Sequence, residues 1–243
     1  MHDKIAILSD IHANLTALDA ILQDLHERQV DGVILAGDII NYGPRPNETI
    51  LRLIQFGTPL LTNIWGNHEY SLFEGSADRF STDRGRAALE FTRSILSKES
   101  WDYLRKMSKK GQAVLSFAGK MILVIHGTLD DPYWGKLSAD CHDNPNYWDF
   151  DFVISGHTHV PHYFEHFSHD DNPVYRNKKK TVFINPGSVG QPRNLNPHAQ
   201  YAILEVGSGS IEFRRVPYNV EVEQLAYNDK IDSFYRNRLT TGI

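Results

Sequence analysis

Seven side chains able to coordinate a cation stand, in chain order, just after short apolar runs: Asp10, His12, Asp38, Asn67, His126, His157 and His159. They are carboxylate, imidazole and amide donors with no thiolate. Such a mixed nitrogen and oxygen set suits manganese, iron, zinc, nickel or cobalt rather than magnesium or calcium, which prefer all-oxygen shells. Seven groups are too many for one tetrahedral ion and about right for two, with the two oxygens of Asp38 available as a bridge. Each item alone is weak. An Asp at a strand end is commonly a cap or turn former, a single His after an apolar run is more often a satisfied core residue, and Gly66-Asn67-His68-Glu69 reads equally as a turn into a helix. It is the joint occurrence at five strand ends that points to the chemistry of a paired transition-metal site.

The elements that must position these groups are legible around them. Residues 4–9, 32–36, 60–65, 121–125 and 152–155 are short, β-branched-rich apolar runs bounded by Gly and polar residues, the pattern of buried strands. In open α/β sheets ligands collect beyond the carboxyl ends of such strands. Leu15, Leu18, Ile21, Leu22 and Leu25 predict a helix over 14–29 with Asn14 as cap, and a second helix over 46–56 starts with Pro46 in its first turn. The first 70 residues therefore read as βαβαβ. Further on, the pattern predicts helices over 82–98 and 100–107, a hairpin over 112–125 turning at Gly119-Lys120, and strands over 182–184, 200–206 and 210–217. A polar helix over about 222–238 closes the chain. The late strands with their Ser-Gly turns suggest a second sheet. The expected fold is α/β, two stacked mixed β-sheets flanked by helices, as a single domain over 1–243. The segment 129–150, with Tyr133, Trp134, Tyr147 and Trp148, is expected to be an ordered lid beside the cleft, a plain surface excursion being the alternative.

Composition narrows the classes of function. A chain of 243 residues with 41% hydrophobic and 23% charged residues is ordinary for a soluble globular protein. No apolar stretch approaches the ~20 residues that span a bilayer, and the N-terminal apolar run is too short for a secretory leader. The single Cys141 fits a reducing, cytoplasmic setting and reads as a bystander thiol. The net charge of −5 argues against polymeric nucleic acid as a partner, and no membrane partner is expected. Arg176 to Lys180, the one basic run, reads as a solvated hairpin loop.

The ordered blocks Asp10-Ile-His12, Gly37-Asp38, Gly66-Asn67-His68-Glu69, His126 and Gly156-His157-Thr158-His159 resemble the calcineurin-like metallophosphoesterase superfamily, over about residues 4–217. The stretches 38–46 and 185–193 look like its compact bacterial and archaeal phosphodiesterase branch, which includes diadenosine polyphosphate hydrolases. The resemblance implies one metal on Asp10, His12, Asp38 and His159, and another on Asp38, Asn67, His126 and His157, with manganese favoured. Protein phosphatases of this superfamily carry an arginine in the Gly-Asp block and another before Gly-Asn-His-Glu. Here Tyr42 and Trp65 stand at those places. A guanidinium fork is the natural partner of a dianionic monoester, so its absence favours phosphodiesters, with Arg45 or Arg193 as partial replacements.

The activity so implied is hydrolysis of a phosphodiester or phosphoanhydride in a small, nucleotide-type substrate. A hydroxide bridging two cations would attack phosphorus while His68 assists the leaving group. His68 could instead merely fix the Gly66-Asn67 turn. Asn67 and Arg193 are candidate substrate contacts, and Tyr133, Trp134 and Trp148 could stack a base or simply fill core. A phosphomonoesterase or phosphoprotein phosphatase is the second expectation, and a non-catalytic scaffold the third. His2, His26, His142, His162, His166, His169 and His198 read as ordinary, with His162 near enough in sequence to line the rim. Oligomeric state is not legible.

Overall fold

The computed structural model describes residues 3–75, 77–140, 142–169, 174 and 179–243. Cys141 and the Arg176 to Lys178 part of the basic run lie outside the described residues, as does His2.

Two five-stranded sheets stack face to face. The first has the order β10-β9-β1-β2-β3, with β1 Lys4–Leu8, β2 Gly32–Leu35, β3 Leu60–Asn63, β9 Ala199–Glu205 and β10 Ser210–Val216. The second has the order β4-β5-β6-β8-β7, with β4 Gln112–Phe117, β5 Lys120–Ile125, β6 Phe152–Ser155, β7 His162–Phe167 and β8 Lys180–Asn185. Strands β1, β2 and β3 run parallel, as do β5, β6 and β8. Their carboxyl ends are the places from which the seven candidate ligands emerge.

Side-chain alternation divides the core cleanly, because successive residues of a strand face opposite sides. Ile5, Ile7 and Ile34 meet Ile122, Val124 and Ile154 between the sheets. Ala6, Leu8, Val33 and Leu35 point the other way, onto Leu18, Ile21 and Leu25 of helix α1, Leu15–Arg28. That helix starts where expected, with Asn14 Oδ1 accepting from the Ala17 amide at 3.0 Å. Helix α2 spans Pro46–Gln55, α3 Asn67–Glu74, α4 Asp83–Ile95 and α5 Lys98–Lys106. Among the described residues no helix is long and apolar enough to cross a membrane.

Several sequence expectations need correction. Strands β9 and β10 do not found the second sheet. Strand β9 is buried along six of its seven residues and pairs antiparallel with the free edge of β1, Ile5 opposite Leu204 and Ile7 opposite Ala202. The second sheet instead includes β7, whose His162-Tyr-Phe-Glu-His-Phe167 sequence lacks an apolar run. The hairpin turns at Ala118-Gly119, both at positive φ (49° and 76°), one residue before the expected place. The closing helix is two helices, α6 Val220–Leu225 and α7 Ser233–Thr241, the second capped by Asp232.

The second sheet's outer face is covered by the 129–150 segment. Tyr147 and Leu137 pack on Leu123, Ile125, Val153 and Phe183, and the Tyr147 hydroxyl accepts from the Leu129 amide at 2.7 Å. Trp148 stacks on His166 with 4.8 Å between ring centroids. Tyr147→Ala should therefore cost about 3–5 kcal/mol, read as a shift of the denaturant midpoint. A loss under about 1 kcal/mol would show that this segment is not part of the packed core.

Candidate metal centre

The strand ends deliver the ligands in register. Leu8 and Leu35 are paired, and beyond them the chains stay tied, Asp10 N to Gly37 O at 3.0 Å and His12 N to Asp38 O at 3.0 Å. Likewise Ile125 pairs with Ser155, and Gly156 N donates to His126 O at 3.1 Å. Beyond these ties the strands do not simply continue. Asp10, His12, Asp38, His157 and His159 all sit in the left-handed region, with φ between 49° and 66°. Each such non-glycine conformation costs ~1–3 kcal/mol, and clusters of them mark functional sites.

The turns are held from outside. Glu69 is fully buried, and its carboxylate accepts from the backbone amides of Asp38, Ile39, Ile40 and Gly66 at 2.8–3.2 Å. Burial and the nearby Asp38 push the Glu69 pKa up to about 7, against the four N–H groups that favour its ionised form. The loop after β8 braces Asp10, whose carbonyl accepts from Ser188 Oγ at 2.8 Å and from Gly190 N at 3.1 Å. Gly66 is required for space, since a Cβ there would collide with the Asp38 carboxylate.

All seven candidate ligands converge. His159 Nε2 lies 3.1 Å from Asp10 Oδ1, His12 Nε2 is 3.8 Å from Asp10 Oδ1 and 3.9 Å from Asp38 Oδ2, and His126 Nε2 is 3.2 Å from Asp38 Oδ2. Asn67 Oδ1 stands 3.1 Å from His126 Nε2 and 3.0 Å from His157 Nδ1. Two groups emerge that could each hold an ion, Asp10, His12, Asp38 and His159 on one side and Asp38, His126 and His157 on the other, with Asn67 beside the second and Asp38 in both. All are buried except the half-buried His157.

The donors are arranged for cations rather than for one another. His12, His126 and His159 donate Nδ1–H to the carbonyls of Ile40, Ala36 and Gln191 at 3.1, 2.7 and 2.6 Å. A carbonyl can only accept, so in the neutral rings the Nε2 lone pairs face the centre. The Nε2 atoms of His12 and His159 are 3.2 Å apart, and neither can donate to the other. Asp10 Oδ1 and Asp38 Oδ2 are buried without a hydrogen-bond partner. Orphaned buried carboxylate oxygens beside bare imidazole nitrogens fit a pair of divalent ions.

Burial, then repulsion from His159, lowers the His12 pKa well below normal, and burial with His12 does the same to His68. Burial and His126 take His157 down to about 3, and burial with Arg193 lowers His159. At His126 burial would lower the pKa, but Asp38 wins and raises it to about 9. At Asp10 burial opposes ionisation, but the adjacent His159 ring holds the carboxyl well below its usual range.

His68 stands beside the centre, its Nε2 3.8 Å from Asp38 Oδ2. Asn41 sets its tautomer. Asn41 Oδ1 accepts from the Tyr42 amide at 2.7 Å, which turns its NH₂ towards His68 Nδ1, 2.7 Å away. His68 Nδ1 is thus the acceptor, and Nε2 carries the proton of the neutral ring.

A cleft of about 350 Å³ opens onto Asp38, Asn67, His68, His157 and His159. Arg193 lines it, as does Trp134 from the 129–150 segment. Tyr133 instead stacks on Tyr70, and His162 does not line the cleft. Arg45 is not there either. It is bound to Glu223 and Thr16 and replaces no phosphate clamp. Sequence reasoning missed three guanidiniums that do line the cleft, Arg79, Arg84 of α4 and Arg238 of α7. Isolated arginines on polar helices carry no local signal. It also assigned no role to Glu69, although Glu three residues after a helix cap is a known signature.

A two-sheet α/β sandwich with a His/Asp cluster able to hold metal at its strand ends fits the class of metal-dependent phosphoesterases. The chain belongs to the calcineurin-like phosphoesterase superfamily, whose domain it matches over residues 4–209. It is a phosphoric ester hydrolase of that metal-dependent family. It is 32% identical over 222 residues to the uncharacterized protein MJ0912 of Methanocaldococcus jannaschii, covering 89% of this chain and 88% of that one. It is 25% identical over 210 residues to phosphodiesterase YfcE of Escherichia coli K12, covering 83% and 87%. The crystal structure of a metallophosphoesterase from Sphaerobacter thermophilus superposes with a TM-score of 0.77 at 29% identity over 99% of both chains.

Glu69→Gln places an amide NH₂ against backbone N–H groups. Metal affinity should fall about 10–100-fold, measured by calorimetric titration with manganese. Unaltered affinity would remove Glu69 from the support of the centre.

Proposed function

We propose that this protein hydrolyses phosphodiester or phosphoanhydride bonds in small, nucleotide-type substrates, using two divalent transition-metal ions, manganese favoured among manganese, iron, zinc, nickel and cobalt. The observation that carries the reading is the pair of donor groups sharing Asp38, with two carboxylate oxygens orphaned inside them. The similarity to a phosphodiesterase supports the choice of ester. A cleft of about 350 Å³ suits a small molecule rather than a polymer.

In this mechanism Asp10, His12, Asp38 and His159 hold one ion, and Asp38, Asn67, His126 and His157 hold the other. Such ions supply Lewis acidity towards phosphoryl oxygens and make hydroxide available near neutral pH. The chain's own groups do the rest. Asn67 has its Oδ1 committed to the ligand side, leaving Nδ2 to donate to a phosphoryl oxygen. Arg193 lines the cleft and pairs with phosphate charge. His68 presents Nε2–H to the leaving oxygen, in the tautomer that Asn41 imposes. Trp134 and Lys136, from the 129–150 segment, wall the cleft as the part of that segment that acts as a lid. The protein works in the cytoplasm.

Phosphomonoester hydrolysis is the second reading. The argument against it from missing arginines at positions 42 and 65 loses force, because Arg84, Arg193 and Arg238 bring guanidinium groups to the cleft from other elements.

With manganese or zinc restored, bis(p-nitrophenyl) phosphate should be turned over faster than p-nitrophenyl phosphate in a chromogenic assay. A clear preference for the monoester would replace the first reading by the second. His68→Ala should lower kcat by roughly 10²–10⁴ with both metals retained by elemental analysis. Asn41→Ala should also slow turnover, and adding it to His68→Ala should cost nothing further, since the two act as a unit. Additive losses would separate Asn41 from His68.

A further inference from the structure

Most arginines of this chain are matched with carboxylates. Arg45 is paired with Glu223, Arg52 with Asp19, Arg79 with Asp131, Arg86 with Asp83 and Arg214 with Asp24. Three that line the cleft are not. Among the described residues Arg84, Arg193 and Arg238 have no carboxylate side chain within ion-pair distance, although they come from three separate elements to one wall. Like charges gathered without a side-chain carboxylate among them repel, and that cost is maintained here by specific packing. The Arg84 guanidinium lies 3.9 Å from the centre of the Phe234 ring and that of Arg238 lies 4.4 Å from it, so one aromatic side chain carries both cations. Arg238 Nε donates to a main-chain oxygen of Ile243, the last residue of the sequence, at 2.6 Å, whereas its Nη1 is buried with no partner. Partial burial, with Arg193 and Arg84 nearby, lowers the Arg238 pKa to about 10, the direction expected where positive charge waits for an anion.

We propose that Arg84, Arg193 and Arg238 form a subsite for a second phosphate group, so that the substrate of this cleft carries at least two phosphates, as in a nucleoside diphosphate or a longer phosphoanhydride. This rests on the hydrolytic reading above and narrows it. One phosphate lies at the ligand end of the cleft by Asn67 and His68, and the next meets the guanidinium wall. Guanidinium forks match phosphate oxygens two at a time, and the unsatisfied Nη1 of Arg238 gains an acceptor. Long-range steering of anions would require only charge, not a shared aromatic support or a buried donor without a partner. Phe234 is occupied by the two cations, so a base has to stack elsewhere on the cleft wall.

The test is calorimetric titration of the manganese-loaded protein with α,β-methylene-ADP and with AMP at fixed free manganese. The methylene bridge prevents cleavage of the P–P link. Wild type should bind the diphosphate analogue at least tenfold more tightly than AMP, and this ratio should collapse towards one in Arg84→Gln/Arg238→Gln. Equal affinities in wild type, or a ratio that survives the double substitution, would overturn the proposal. Should the double variant fail to fold by circular dichroism, Arg84→Gln alone, at a half-buried position, must lower the ratio at least threefold, and an unchanged ratio counts against the subsite. Calorimetry needs no turnover, so loss of the hydrolytic reading would show separately, as metal-loaded protein inert towards every ester offered.

Discussion

Buried carboxylate oxygens and imidazole nitrogens crowd one another at the strand ends, and the rest of the molecule is organised around that crowding. Asp10 Oδ1 and Asp38 Oδ2 have no hydrogen-bond partner, and the Nε2 atoms of His12 and His159 confront each other at 3.2 Å. Unpaired buried charge costs several kcal/mol, and the left-handed backbone at five ligand positions adds to it. What sustains the arrangement is built elsewhere. The inter-sheet core of Ile5, Ile7, Ile34, Val124 and Ile154 fixes the strands, and backbone ladders carry their register past the strand ends into the turns. Glu69 then ties the β2 turn to the β3 turn with four hydrogen bonds.

The centre lies on the seam between the sheets, and each donor group draws on both. Asp10, His12 and Asp38 come from the first sheet and meet His159 from the second. His126 and His157 come from the second and meet Asp38 and Asn67 from the first. Ions bound there would join the sheets at an edge where the apolar core gives way to polar groups. Stability and ligand geometry are therefore coupled through the same few turns.

The clustering of the candidate ligands was foreshadowed in the sequence because each lies within four residues of the end of a short strand, and strand parity and Gly-rich turns are local properties. What was not readable depended on partners remote in sequence. Whether β9 joins β1 or starts a new sheet is decided by which strand edge is free, which no window around Ala199–Glu205 contains. Strand β7 escaped because His162, Glu165 and His166 break the apolar pattern, while its pairing comes entirely from β8. The left-handed turns escaped because Asp and His tolerate extended and left-handed backbone alike, and only the contacts with neighbouring strands choose. Arg84 and Arg238 read as solvated helix faces until α4 and α7 are placed beside the cleft. The 129–150 segment was noticed for its aromatic rings, but their division between sheet cover (Tyr147, Trp148) and cleft wall (Trp134) is a matter of tertiary packing.

The superfamily match ends at residue 209, yet α7, from Ser233 onward, supplies Phe234, Tyr235 and Arg238 to the cleft. Every ligand of the centre precedes that boundary. Part of the cleft wall is thus written on a different stretch of chain from the candidate ligands, tied to the frame by β10 on β9, by Glu223 on Arg45 and by a cluster of Tyr42, Ala88, Ile231 and Tyr235. Side chains of α7 can therefore reshape the outer wall without displacing a donor atom, which makes that helix the natural place for one chemistry to be fitted to different molecules.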